Sequence, residues 1–139
     1  MSRYFENDAT ISECGRYRYL LRRTWDQKKP RALLIMLNPS TADAHADDAT
    51  IRSCVRLLNA LHYGSLEVVN LFAWRATDPS ALLLPAVEPV GEKNDVAIMA
   101  AVGRCDLAVC AWGAHKAASR RARSVVEMIR SHRPAVFCF

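Results

Sequence analysis

The sequence contains few residues that interrupt a compact core, with only 5 glycines and 6 prolines among its 139 residues. This composition argues against collagen-like and disordered chains. None of its apolar runs approaches the roughly 20 residues that a membrane span requires, so we expect no membrane association. The N-terminal residues include acids where a signal peptide needs an apolar core, which predicts a cytoplasmic protein.

The sequence also lacks several well-known catalytic motifs. It has no G-x-G-x-x-G, G-x-x-x-x-G-K-S/T, G-x-S-x-G or H-E-x-x-H, which disfavours dinucleotide oxidoreductases, P-loop ATPases, α/β-hydrolases and zincins. Its five cysteines are scattered and form no C-x-x-C pair, so we predict reduced thiols, no metal site and no cofactor. The length and the 51% share of hydrophobic residues fit one domain over residues 1–139.

Apolar periodicity predicts strands and helices in alternation. A half-exposed strand over 15–25 precedes buried strands over 32–37, 66–73 and 107–112, and a last strand is expected over 135–139. Helices are predicted over 48–62, 92–102 and 116–132, with Leu61, Val96 and His132 in their apolar stripes. We therefore expect an α/β domain of three layers: a doubly wound, mainly parallel central sheet of about four strands, plus an N-terminal antiparallel strand or hairpin.

Polar residues follow the predicted buried strands. In doubly wound sheets, ligands bind outside the carboxyl ends of the strands. The first such loop offers an amide, hydroxyls and a carboxylate that are suited to a polar ligand or a water, although the same residue types also form turns. Its candidate ligand-binding residues are Asn38, Pro39, Ser40, Thr41 and Asp43.

The second and third loops add an amide, an arginine, a tryptophan and a histidine. Asn70 lies among apolar residues, and its donor and acceptor suit the edge of a nucleobase or the backbone of a neighbouring loop. Arg75 is a candidate for phosphate contact or for an ion pair with Asp78. Trp112 is a candidate pocket wall or core residue, and His115 a candidate donor or acid.

The net charge of +5 is concentrated in the last quarter of the chain, where seven basic residues meet two acids. This excess suits either phosphate groups or a solvated surface. The basic residues nearest the third loop are Lys116, Arg120 and Arg121.

Six stretches resemble the domain of unknown function family 1643, a bacterial family. They are MLNPSTAD at 36–43, DATIR at 48–52, VVNLFAWRATDP at 68–79, PVG at 89–91, ND at 94–95 and AWGAH at 111–115. The resemblance covers the chain from about Tyr17 onward and implies no established activity. Members of that family continue into a His-Pro-containing segment after the last strand. Because this chain ends at Phe139, we expect it to lack a C-terminal segment.

Shorter matches resemble the uracil-DNA glycosylase superfamily and imply its fold. Asn38-Pro39 is similar to the loop that positions the attacking water, Val68-Val69-Asn70 to the strand that ends in a base-reading Asn, and Trp112-Gly113-Ala114-His115 to the Trp-Gly-x-His stretch. This resemblance implies catalytic roles for Asn38 and His115, base recognition by Asn70, and phosphate contacts from Lys116, Arg120 and Arg121.

These observations predict a domain that binds a nucleobase, a nucleotide-like small molecule or nucleic acid. Hydrolysis of an N-glycosidic bond is expected to be weak at most, because an amide is a poorer general base than a carboxylate and the terminal segment is absent. The alternative is a non-catalytic module that binds a small ligand or a protein. The sequence predicts no oligomeric state.

Overall fold

The computed structural model describes residues 4–132 and the backbone of residues 137 and 138. Six strands and three α-helices follow one another along the chain, with one short 3₁₀ helix at Pro79–Leu83. The strands are β1 (Glu6–Ile11), β2 (Arg18–Thr24), β3 (Arg31–Met36), β4 (Ser65–Asn70), β5 (Leu107–Cys110) and β6 (Phe137–Cys138). The helices are α1 (Ala49–Ala60), α2 (Asn94–Arg104) and α3 (Ala118–Arg130).

The strands form one mixed sheet in the order β1-β2-β4-β3-β5-β6. The neighbours β4 and β3, β3 and β5, and β5 and β6 run parallel, whereas β1 pairs with β2 and β2 with β4 in antiparallel fashion. The predicted α/β class is confirmed. The sheet is mixed because the N-terminal hairpin adds two antiparallel pairings to the strands that the helical crossovers connect.

Both faces of the sheet are buried under helices. On one face, Leu33, Ile35 and Val69 pack against α2 and α3. On the other face, Leu34 and Val68 pack against α1. Neighbouring residues of one strand point to opposite faces, so the continuous apolar runs of β3 and β4 supply both layers. Among the described residues, no helix has the length and apolar character to cross a membrane.

Three predicted inner-face residues are exposed instead. Leu61 follows the last residue of α1 and is 57% exposed, and His132 lies in the turn after α3. Val96 is 75% exposed because it lies two residues from the buried Ile98, which places it on the opposite side of α2. The predicted stripes were therefore wrong at these positions, because Leu61 and His132 follow the last helical residue and Val96 lies on the solvent side of α2.

Several predicted boundaries were also wrong. The strand predicted to be half-exposed has no exposed residue. It begins at Arg18 rather than at residue 15, because Gly15 adopts a positive φ of 76° in the turn that precedes it. Strand β4 ends at Asn70 rather than at residue 73. Beyond it, Leu71 N donates to Met36 O and Ala73 O accepts from Arg18 N, but these bonds do not continue the regular ladder. Strands β1 and β2 form an N-terminal antiparallel pair, but no bounds were predicted for β1. The predicted strand over 135–139 lies partly outside the described residues, and its described part is β6.

A buried carboxylate joins the sheet to α2. Glu67 is fully buried in β4. Its oxygens lie 2.6 Å from Arg104 Nη2, 3.3 Å from Arg31 Nη1 and 3.5 Å from Arg22 Nη2. Since those three guanidinium groups retain some contact with solvent, Glu67 is the only fully buried member of this cluster.

Candidate functional site

The loops after β3 and β4 meet beyond the carboxyl ends of these strands. The Asn38 amide nitrogen donates to the carbonyls of Ala76 (2.8 Å) and Pro39 (3.2 Å), with Trp74 O at 3.5 Å. The hydroxyls of Ser40 and Thr77 are 3.3 Å apart. Asn38 therefore pins one loop to the other, as an Asn in a turn commonly does.

Arg75 fastens the same pair of loops. Its Nε donates to Ser40 O at 3.4 Å, and its Nη1 donates to Gly15 O at 3.2 Å. Asp78 caps the 3₁₀ helix by accepting from Ser80 N at 2.9 Å. Instead of pairing with each other, Arg75 donates to two backbone carbonyls and Asp78 accepts from one backbone N–H.

The third loop carries His115. Its Nδ1 accepts from Ala117 N at 3.1 Å, which shapes the turn that leads into α3. Hydrogen bonds from Ser80 lower the pKa of Asp78, and the electrostatic attraction of His115 lowers it further. Trp112 packs against the α2/α3 core.

The loop over residues 38–48 is held mainly by side chains that bond its backbone. Arg23 donates to the carbonyls of Asp43 and Ala46, and its Nε lies 2.8 Å from Asp47 Oδ1. Asn7 Nδ2 donates to Ala44 O at 2.7 Å. These contacts tie the loop to β1 and β2.

Asp43 shapes that loop from within. Its carboxylate accepts the backbone N–H groups of His45 (2.8 Å) and Ala46 (2.9 Å), which hold its pKa below the ordinary aspartate value. Of its predicted neighbours, Pro39 is buried and Thr41 is exposed. The geometry of Asp43 is that of a turn-forming residue.

Asn70 is the most unusual polar residue in this region. It is 1% exposed, and neither its Oδ1 nor its Nδ2 has a hydrogen-bond partner. Its backbone carbonyl accepts from Asn94 Nδ2 at 2.9 Å. Because side chains alternate along a strand, Asn70 shares with Val68 the face that α1 covers. A buried amide without partners costs about 1–3 kcal/mol, so its presence needs an explanation.

A second underbonded polar residue, Arg18, lies on the neighbouring strand. It is 3% exposed, its Nη1 donates to Ala42 O at 3.0 Å, and its Nε has no partner. Burial lowers the pKa of Arg18 to about 10, while Asp48 raises it and Arg75 lowers it further.

Sequence reasoning did not single out Arg18, because basic residues alternate with apolar ones over residues 15–25 and such a pattern is typical of a solvent face. An irregular register between β1 and β2 at Thr10 and Ile11 changes the direction of the side chain. No local signal in the sequence marks this bulge.

The predicted phosphate-binding residues lie on the other side of the sheet, around α3. The guanidinium of Arg121 is already bonded within the protein. Its Nε donates to Leu71 O at 2.8 Å, and its Nη2 lies 2.5 Å from Asp95 Oδ1. Lys116 and Arg120 are exposed. The structure therefore separates these cations from Asn70. Among the described residues, no group of three or more His, Cys, Asp or Glu could hold a metal ion.

A family model described as "Protein of unknown function (DUF1643)" matches residues 18–139. The chain belongs to this family. The part that matches the family includes all three loops and both of the buried residues Arg18 and Asn70. No curated protein and no solved structure matches the chain. The resemblance to uracil-DNA glycosylases accordingly stays a prediction.

Proposed function

We propose that this member of the DUF1643 family binds a nucleobase or a nucleotide-like small molecule, with Asn70 as the residue that reads the base. One observation carries the proposal: an amide 1% exposed at the carboxyl end of a central strand has both polar atoms unpartnered. A primary amide presents a donor and an acceptor side by side, which matches the edge of a base. Hydrogen bonds to a ligand would recover the stability that this amide costs the folded protein.

Binding without catalysis is the form of the proposal that the geometry favours. The amide nitrogen of Asn38 is occupied by backbone carbonyls, and an amide does not act as an efficient general base. Asn38 and His115 both have local structural contacts that account for them. Any hydrolysis of an N-glycosidic bond is therefore proposed to be weak at most.

A small ligand fits these positions better than duplex nucleic acid does. Asn70 lies on the face covered by α1, whereas the exposed Lys116 and Arg120 belong to the region of α3 on the opposite face. One bound nucleotide would not contact both regions. The alternative, a module that binds a protein, gives no role to a buried amide without partners.

The test is calorimetric titration of the protein with the nucleosides uridine, cytidine, adenosine and guanosine. We expect at least one to bind, and we expect Asn70→Ala to abolish that binding. Asn59→Ala is the matched control, since Asn59 is an exposed asparagine of α1. Equal affinity in Asn70→Ala and the wild type would refute the assignment of Asn70, and no binding by any nucleoside would refute the proposed function.

Two further measurements separate the alternatives. Incubation with uracil-containing oligonucleotides should yield no more than traces of abasic product, and rapid release of base would overturn the proposal of a binding protein. A salt-dependent shift of plain DNA would instead indicate nucleic-acid binding by the basic region of α3. Replacement of Arg120 by Gln would then reduce that shift, while Asn70→Ala would leave it unchanged.

A further inference from the structure

The buried guanidinium of Arg18 lacks the partner that a buried charge normally has. Among residues 4–132, no carboxylate forms an ion pair with it, and its one hydrogen bond goes to the neutral carbonyl of Ala42. Asp48 raises the pKa of Arg18, but the Asp48 carboxylate already accepts from Ile51 N at 2.9 Å. A charge removed from water without a counter-charge is strongly unfavourable, so the site is electrostatically incomplete.

Arg23 on the same strand shows how this fold satisfies a structural arginine. It is 1% exposed, yet its Nε pairs with Asp47 at 2.8 Å and its other nitrogens donate to four backbone carbonyls. Burial of an arginine in β2 is therefore not unusual in itself. What distinguishes Arg18 from Arg23 is the absence of an anion.

Arg18 and Asn70 occupy neighbouring strands and the same face of the sheet. Arg18 reaches Ala42, which packs in the α1-side core together with Val68, and Asn70 follows Val68 on that face. Strands β2 and β4 are adjacent in the sheet. Arg18 and Asn70, each with an unpartnered buried nitrogen, thus lie on the α1 side of the sheet.

We propose that Arg18 binds the phosphate of a nucleoside monophosphate whose base is read by Asn70. This inference rests on the proposed function and extends it from the base to the anionic part of the ligand. A guanidinium offers a planar fork of donors that matches phosphate oxygens, and the phosphate supplies the missing counter-charge. The positive charge of Arg75, close enough to act on Arg18, adds to the attraction.

The loop over 38–48 lies against Arg18 through the carbonyl of Ala42. It contains neither helix nor strand. In addition to the packing of Ala42 and the backbone bond from Ala76 N to Pro39 O, side chains such as Arg18 and Arg23 donate to its carbonyls. Segments held in this way open more readily than segments held by a backbone ladder. A phosphate that takes the place of Ala42 O on Arg18 would therefore compete with one contact of the loop.

The experiment compares the affinities of a nucleoside and its 5′-monophosphate by calorimetry. In the wild type, the monophosphate is expected to bind at least about tenfold more tightly, as a charge-assisted hydrogen bond allows. In Arg18→Gln the two affinities should become equal. Arg123→Gln is the matched control, because Arg123 is an exposed arginine of α3, and it should keep the full ratio.

A second arm uses inorganic phosphate alone and follows the Nε–H resonance of Arg18 by NMR in the wild-type protein, so that it stands even if Arg18→Gln does not fold. Phosphate should shift this resonance and raise the melting temperature. If a nucleoside binds but its phosphate adds no affinity and the resonance does not move, this inference is overturned while the proposed function stands. If phosphate binds at Arg18 but no nucleoside binds, the anion site stands and the proposed function fails.

Discussion

Replacing Asn70 with leucine should make the folded protein more stable, although the substitution removes a polar residue at the candidate site. Leucine has nearly the shape of asparagine and carries no polar atoms. The native side chain is 1% exposed with both amide atoms unpartnered. Removing a buried, unsatisfied polar group recovers its desolvation cost, so we expect the free energy of unfolding to rise by about 1–3 kcal/mol.

Asn94 provides the matched control, because it is as deeply buried and its Nδ2 is bonded, although its Oδ1 has no partner. Its Nδ2 donates to Asn70 O at 2.9 Å and to Leu71 O at 3.1 Å. Asn94→Leu removes both bonds and leaves the Asn70 carbonyl without this donor, so the free energy of unfolding should fall by about 1–3 kcal/mol. Urea denaturation followed by circular dichroism measures both variants, with the slope of the transition expected to stay constant.

The opposite signs of the two changes are the decisive result. Each variant replaces a buried asparagine by leucine, so differences in hydrophobicity and side-chain entropy largely cancel between them. If Asn70→Leu destabilised the protein as much as Asn94→Leu, the Asn70 amide would have partners in the folded protein. The argument for a ligand at Asn70 would then lose its foundation.

Three further predictions concern the framework around the site. In urea denaturation, Glu67→Gln should lower the free energy of unfolding by about 3 kcal/mol, because it removes the negative charge that three guanidinium groups share. Glu6→Gln, which affects an exposed pair, should change the free energy of unfolding by less than about 1 kcal/mol. By thermal unfolding, Gly103→Ala should stabilise α2, where a Cβ meets no atom, whereas Gly91→Ala should destabilise at a φ of 91° with a ring carbon 2.9 Å away. The pKa of Asp43 is lowered in the folded protein, which stabilises the fold at pH values above the unfolded-state pKa. This stabilisation is lost as the pH falls through the folded-state pKa. Asp43→Asn should therefore lose less stability than the wild type between about pH 6 and about pH 2.

The sequence predicted most of the framework because the central strands and helices have strong apolar patterns. The run in β3 is apolar on both faces, and the spacing of Ile51, Val55 and Leu58 in α1 is helical. Strand β1 was missed because its residues, ENDATI, are polar and only partly covered at the edge of the sheet. Nothing in that composition distinguishes an edge strand from a loop, since its pairing with β2 decides the conformation.

The candidate site was only partly predictable. An asparagine in an apolar run is visible in the sequence, and Asn70 was singled out for that reason. The engagement of Asn38 and Arg121 by backbone carbonyls depends on residues 36 to 50 positions away, which no local pattern reports. The burial of Arg18 depends on the irregular register of the β1–β2 pair.

The distribution of arginine partners argues for the position of the anion more strongly than the net charge of the chain does. Arg23, Arg104 and Arg121 each have a carboxylate partner and hold structural elements together. The exposed arginines of α3 are in contact with water, which solvates their charge. Arg18 belongs to neither group, because it is buried and no described carboxylate pairs with it. A bound anion would therefore stabilise the protein most at Arg18, although the sequence concentrates positive charge around α3.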